Sequence, residues 1–89
     1  MTVVTIRVTA VFERRYGKLP QSVKEKAKWC EDIFRNDPFN PQLRTHKLHG
    51  KHGKEWAFSV TQRCRIKFIF VNGNTVLFTD IGTHPEVYR

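Results

Sequence analysis

The chain is poor in the residues that usually mark a special class of protein. Its 89 residues include two cysteines, one methionine, five glycines and four prolines. Two cysteines cannot staple a small secreted scaffold, and so little glycine and proline excludes collagen-like or low-complexity chains. No apolar run approaches the roughly 20 residues of a membrane-spanning helix, and nothing resembles a secretory leader. A cytoplasmic protein is therefore expected, with Cys30 and Cys64 as free, reduced thiols in a helix and a strand. Acidic residues are also scarce, at eight against 16 Lys and Arg, which leaves a net charge of +8. A field of that size on so small a domain attracts polyanions, but by itself does not choose among RNA, DNA, an anionic membrane face and an acidic protein.

Aromatic residues, by contrast, are plentiful. Seven phenylalanines within a 39% apolar composition exclude disorder and imply a packed globule. A chain of this size buries only about 60 to 65% of its unfolded surface, enough for one core, so residues 1–89 are expected to form one domain. The sequence contains no repeat, low-complexity tract or linker.

Residues 2–9 alternate as a strand, at an edge or second from it, with Val4, Ile6 and Val8 on one face. Val11, Phe12, Tyr16 and Leu19 then recur at helical spacing until Gly17 and Pro20 interrupt them. Pro20 opens the main helix, in which Val23, Ala27, Cys30, Ile33 and Phe34 form one stripe and Lys24, Lys28, Glu31 and Arg35 lie off it. Asn36-Asp37-Pro38 ends it, with Asn36 suited to the C-terminal cap, and a loop holding Pro38 and Pro41 follows. Strands are expected at residues 44–48, 55–62, 65–71 and 75–81, with Asn72-Gly73 as a hairpin turn. The fold class is α+β, in the order β-α-α-β-β-β-β, with two N-terminal helices packed on a mainly antiparallel, twisted sheet.

Strand alternation separates Ile66, Phe68 and Phe70 from Arg65, Lys67 and Ile69, and Trp56, Phe58 and Val60 from Ala57, Ser59 and Thr61. The second set predicts a small, polar sheet face carrying Arg65, Lys67 and Arg63, open to solvent or ligand because unpaired buried cations are costly. It is either a phosphate surface or a strand face charged for solubility.

Three stretches together, in order and spacing, resemble the RelE/ParE superfamily of type II toxins, across nearly the whole chain. They are Leu48-His49-Gly50 with Trp56-Ala57-Phe58-Ser59-Val60, then Cys64-Arg65-Ile66-Lys67-Phe68, and finally Ile81-Gly82-Thr83-His84-Pro85-Glu86-Val87-Tyr88. The resemblance implies a RelE-like, microbial-ribonuclease-like fold. Through the family's RelE/YoeB/YafQ-like nuclease branch it also implies cleavage of mRNA, usually in the ribosomal A site, by attack of the ribose 2′-oxygen on the adjacent phosphorus. That reaction needs a base, cations for the phosphoryl charge and an acid for the leaving 5′-oxygen, and no metal or cofactor.

Carried over by position, the resemblance makes His84 the residue that contacts the scissile phosphate or protonates the leaving group. An imidazole, with an intrinsic pKa of about 6.5, suits proton donation near neutral pH. The same resemblance makes His46 the candidate general base, Arg65 the clamp on the scissile group and Tyr88 the terminal aromatic that stacks on the base near the cut. Lys47, Arg63 and Lys67 are the candidate phosphate-binding cations. His46, His49 and His52 recur every third residue, but no carboxylate or cysteine joins them at ligand spacing, so no metal is implied.

Two departures separate the chain from the pattern. Ser59, and in some members Ala57, stand where nuclease members place a basic residue, and the histidine–aspartate pair of one histidine-rich subgroup is absent. Two alternatives therefore stay open: a ParE-like toxin that inhibits DNA gyrase, and a catalytically degenerate domain that binds nucleic acid or an antitoxin. The implied partners are a cognate antitoxin, mRNA and the ribosome, with operator DNA reached only through the antitoxin complex and no membrane.

Overall fold

The computed structural model describes residues 2–50 and 53–87. A five-stranded sheet in the order β1-β5-β4-β3-β2 is built from β1 (Thr5–Val8), β2 (His46–Lys47), β3 (Trp56–Ser59), β4 (Cys64–Phe70) and β5 (Thr75–Thr83). β2 to β5 form an antiparallel meander, and β1 lies parallel to β5 at the far edge. Helices α1 (Ala10–Gly17) and α2 (Gln21–Asn36) connect β1 to the meander, and α3 (His84–Val87) follows β5. The expected class and element order hold. The additions are α3 and a 3₁₀ turn at Pro41–Leu43 inside the expected proline loop. No described helix is long and apolar enough to cross a membrane.

Local chemistry explains the boundaries. Thr9 caps α1, its Oγ1 accepting from Phe12 N–H at 3.1 Å while donating to the Thr79 carbonyl at 2.8 Å. Pro20 precedes α2 as expected, and Ala27, Cys30 and Phe34 of the predicted stripe are buried, with Val23 and Ile33 packed beside them. Asn36 does not cap the helix. It is the last helical residue, its amide donating to the Asp32 carbonyl, and Asp37 takes the cap in extended geometry ahead of Pro38. The Asn72-Gly73 hairpin forms, but neither residue enters the left-handed region that the tightest hairpin turns require. Asn72 Oδ1 instead accepts from Asn74 N–H at 3.0 Å, within a longer loop closed by Val71 N–H on the Thr75 carbonyl.

The core is largely phenylalanine. Phe34 of α2 is fully buried, with ring centroids 4.9 Å from Phe58, 5.0 Å from Phe68 and 5.5 Å from Phe78. Each such side chain contributes about 2 to 3 kcal/mol of burial. Two expected faces change. In the first strand only Ile6 packs on the core; Val4 is 65% exposed, and Val3 is buried instead. The reason is that β1 begins only at Thr5, while Val3 N–H bonds to the Arg35 carbonyl at 2.8 Å and leans on the end of α2. The small, polar sheet face is also not simply open. Ala57 is fully buried, as is Val87 of α3, and neither belongs to the main cluster. Val87 is carried by α3, which packs on β4 and β5.

Candidate active site

Arg65 is the best-positioned of the predicted residues. Its strand partners are Ser59 on β3 and Gly82 on β5, two residues before His84. The turn from β3 to β4 is closed by Thr61, whose Oγ1 accepts from the N–H groups of Arg63 and Cys64 at 3.3 and 3.0 Å. Arg65 bends back onto this turn, its Nη1 donating to the Thr61 carbonyl at 2.6 Å and the Cys64 carbonyl at 3.2 Å. Two backbone acceptors on one nitrogen fix the guanidinium plane and leave its remaining donors for a ligand.

His84 directly follows Thr83, the last residue of β5, and opens α3, where Pro85 in the first turn favours helix. Thr83 pairs with Cys64 and Gly82 with Arg65, so His84 follows β5 two positions beyond the partner of the arginine. His46 lies in the row His46–Ala57–Lys67 across three strands, on the same sheet face as Lys67. About three strand spacings, on the order of 14 Å, separate the strands that carry His46 and His84, and the row of His46 reaches β5 at Asp80, four residues before His84. Nδ1 of His46 is 3.0 Å from the Arg44 carbonyl. A carbonyl only accepts, so Nδ1 carries the proton, and Nε2 is the basic nitrogen of the neutral ring.

The remaining candidates divide. Lys67 is mostly buried and pairs with Glu55 at 3.1 Å, so its charge is already matched. Lys47 pairs with Trp56, whose own partner is the core residue Phe68, and thus faces away from His46 and Lys67. Arg63 does not share the strand face expected of it: it sits exposed in the β3–β4 turn, because β4 starts at Cys64. Tyr88 and His52 lie outside the described residues. Among the described residues no cluster of His, Cys, Asp or Glu could hold a metal ion.

Two clefts flank the β3–β4 turn and share Thr61 and Gln62. One, of about 440 Å³, is lined by Lys26, Trp29, Gln42, Arg44, Ser59 and Arg65. The other, of about 430 Å³, is more apolar and runs past Leu19, Val23, Arg63 and Thr83. Lys26, Trp29, Gln42 and Arg44 escaped the reading of the sequence. The available signal was Trp29 itself, a large aromatic off the apolar stripe of its helix. Cys30, behind the first cleft, is buried with its thiol pushed up from the ordinary value by that burial, against a smaller opposing effect of the Lys26 ammonium.

No family model matches the sequence, and no curated relative does. Solved structures do match. The YoeB/ParE toxin from Agrobacterium tumefaciens superposes with a TM-score of 0.77 at 14% identity, over 91% of this chain and 99% of the other. YafQ from E. coli gives 0.75 at 17% identity, over 94% and 97%. A chain of the RelB–RelE antitoxin–toxin complex from Methanococcus jannaschii gives 0.71 at 19%, over 92% and 94%. At such identities the likeness is one of architecture, and end to end the chain has the fold of the RelE/ParE toxins.

Proposed function

We propose that this chain, acting as one domain, is the toxin of a type II toxin–antitoxin pair and an endoribonuclease that cuts mRNA without a metal. The observation that carries the reading is Arg65, held by the Thr61 and Cys64 carbonyls beside the strand that delivers His84. In this scheme Nε2 of His46 accepts the ribose 2′ proton and the 2′-oxygen attacks phosphorus. Arg65 stabilises the charge that develops on the phosphoryl oxygens, and His84 protonates the departing 5′-oxygen. The products are a 2′,3′-cyclic phosphate and a 5′-hydroxyl. Tyr88, adjoining the buried Val87, stacks on the neighbouring base. Arg63, Lys47 and Lys67 contribute the surrounding field, Lys67 least because Glu55 neutralises it.

The solved toxin–antitoxin complex on the same fold supports a cognate antitoxin as partner, and a net charge of +8 suits an acidic or amphipathic segment laid over the site. We place the activity in the bacterial cytoplasm, on mRNA in the ribosomal A site. Expression in a bacterial host without antitoxin should arrest growth and produce codon-phased 5′ ends in a reporter mRNA, and His84→Ala should abolish both. Arrest with intact mRNA would point to gyrase inhibition, and neither arrest nor cuts to a degenerate binding domain.

A further inference from the structure

We propose that the cleft between α2 and the β3–β4 turn is a nucleotide subsite separate from the cutting point, where Trp29 stacks on a base and Lys26 and Arg44 hold the adjoining phosphate. This rests on the reading above in taking RNA as the ligand and Arg65 as the mark of the cutting point. The cleft, about 440 Å³, falls in the range of pockets that enclose small ligands, and its walls carry Lys26, Arg44 and Arg65 but no carboxylate.

Two features go beyond a generic basic surface. Trp29 is 49% exposed, although burial elsewhere on α2 would stabilise the fold more. The Lys26 ammonium lies over one face of its ring, 4.0 Å from the centroid, which holds the indole in place and leaves the opposite face for a base. Arg44 has a left-handed backbone, with φ of 53°, closing the 3₁₀ turn. Glycine or asparagine would adopt that geometry with less strain; what they lack is a guanidinium. An aromatic platform in a cleft lined by cations fits a base with its phosphate better than an acidic peptide, which has no use for a stacking surface. Arg65 closes the cleft on the side of the proposed cut, so the subsite takes a nucleotide next to the scissile phosphate.

The test measures binding of a short 2′-O-methyl oligoribonucleotide, which cannot be cut by 2′ attack, to the wild type and to Trp29→Ala and Arg44→Gly. Each variant should bind about tenfold more weakly, the order expected for loss of one stacked base or one phosphate contact. Quenching of tryptophan emission by the oligonucleotide should disappear in Trp29→Ala. Arg44→Gly should melt at the same temperature or higher, because glycine suits the backbone there, and this separates lost binding from lost folding. Unchanged affinity in both variants overturns the subsite, as does a wild type that ignores the oligonucleotide but binds polyglutamate equally with and without Trp29. If wild type binds and both variants bind weakly while mRNA stays uncut in cells, the nuclease reading fails and the subsite stands.

Discussion

At the scale of single residues, Arg65 and Cys30 make opposite demands on their surroundings. In the proposed mechanism Arg65 needs its fork, since one nitrogen is spent on the turn and the others are left for the phosphate. Arg65→Lys keeps the charge but loses that geometry, so mRNA cleavage should fall about a hundredfold, with the melting temperature little changed. Equal activity in the lysine variant would mean that the arginine supplies charge alone. Cys30 needs to stay neutral. Burial raises its pKa in the folded state above that of the unfolded chain, so its contribution to stability is complete below the unfolded value and is lost as the pH rises from about 8.5 toward the folded value. Urea unfolding at neutral and alkaline pH should show a decline in the wild type that is smaller in Cys30→Ala; identical declines would assign the effect elsewhere.

Among the elements, β5 is the one whose geometry alternation alone does not predict. Phe68 pairs with Phe78 and Ile66 with Ile81, so Thr79 is an extra residue, a bulge opposite the Lys67–Phe68 step. Without it Phe78 and Ile81, three residues apart, could not both enter the core. Thr79 is pinned by its hydroxyl to the Lys67 carbonyl and by its own carbonyl to Thr9. Just beyond it, the mostly buried Asp80 receives Nη1 of Arg15 at 3.0 Å on both oxygens and Ile81 N–H at 2.8 Å, which ties α1 to the bulge. Arg15→Met should cost about 1 to 2 kcal/mol, less than a fully buried pair because the arginine is a third exposed. A double-mutant cycle with Asp80→Asn should show coupling, and simple additivity would deny the pair any role. The helices, the meander order and the phenylalanine core were legible in the sequence because period 3.6 and period 2 are local signals. The bulge and α3 were not: one extra residue looks like any other strand residue, and a four-residue helix has too few turns to leave a period.

For the whole molecule, the net charge of +8 implies that the proposed RNA binding should weaken steeply with salt. With three or four phosphates contacted, the slope of log affinity against log salt should be roughly −2 to −3 for a single strand. A flat dependence would mean that the charge serves a protein partner instead. The sequence by itself determined the α+β class, the amphipathic main helix and the basic character, since composition and periodicity are properties of a linear chain, and its resemblance to the RelE/ParE superfamily supplied the candidacy of His46, Arg65 and His84. Only the tertiary structure decided which candidates meet. It paired Lys67 with Glu55, turned Lys47 to the other face, set Arg63 in a turn, and joined Lys26, Trp29 and Arg44 from a helix and a loop into one cleft with Arg65. Those outcomes depend on register, on one bulge and on helix placement over the sheet, which bring together residues far apart in sequence and carry no local signature.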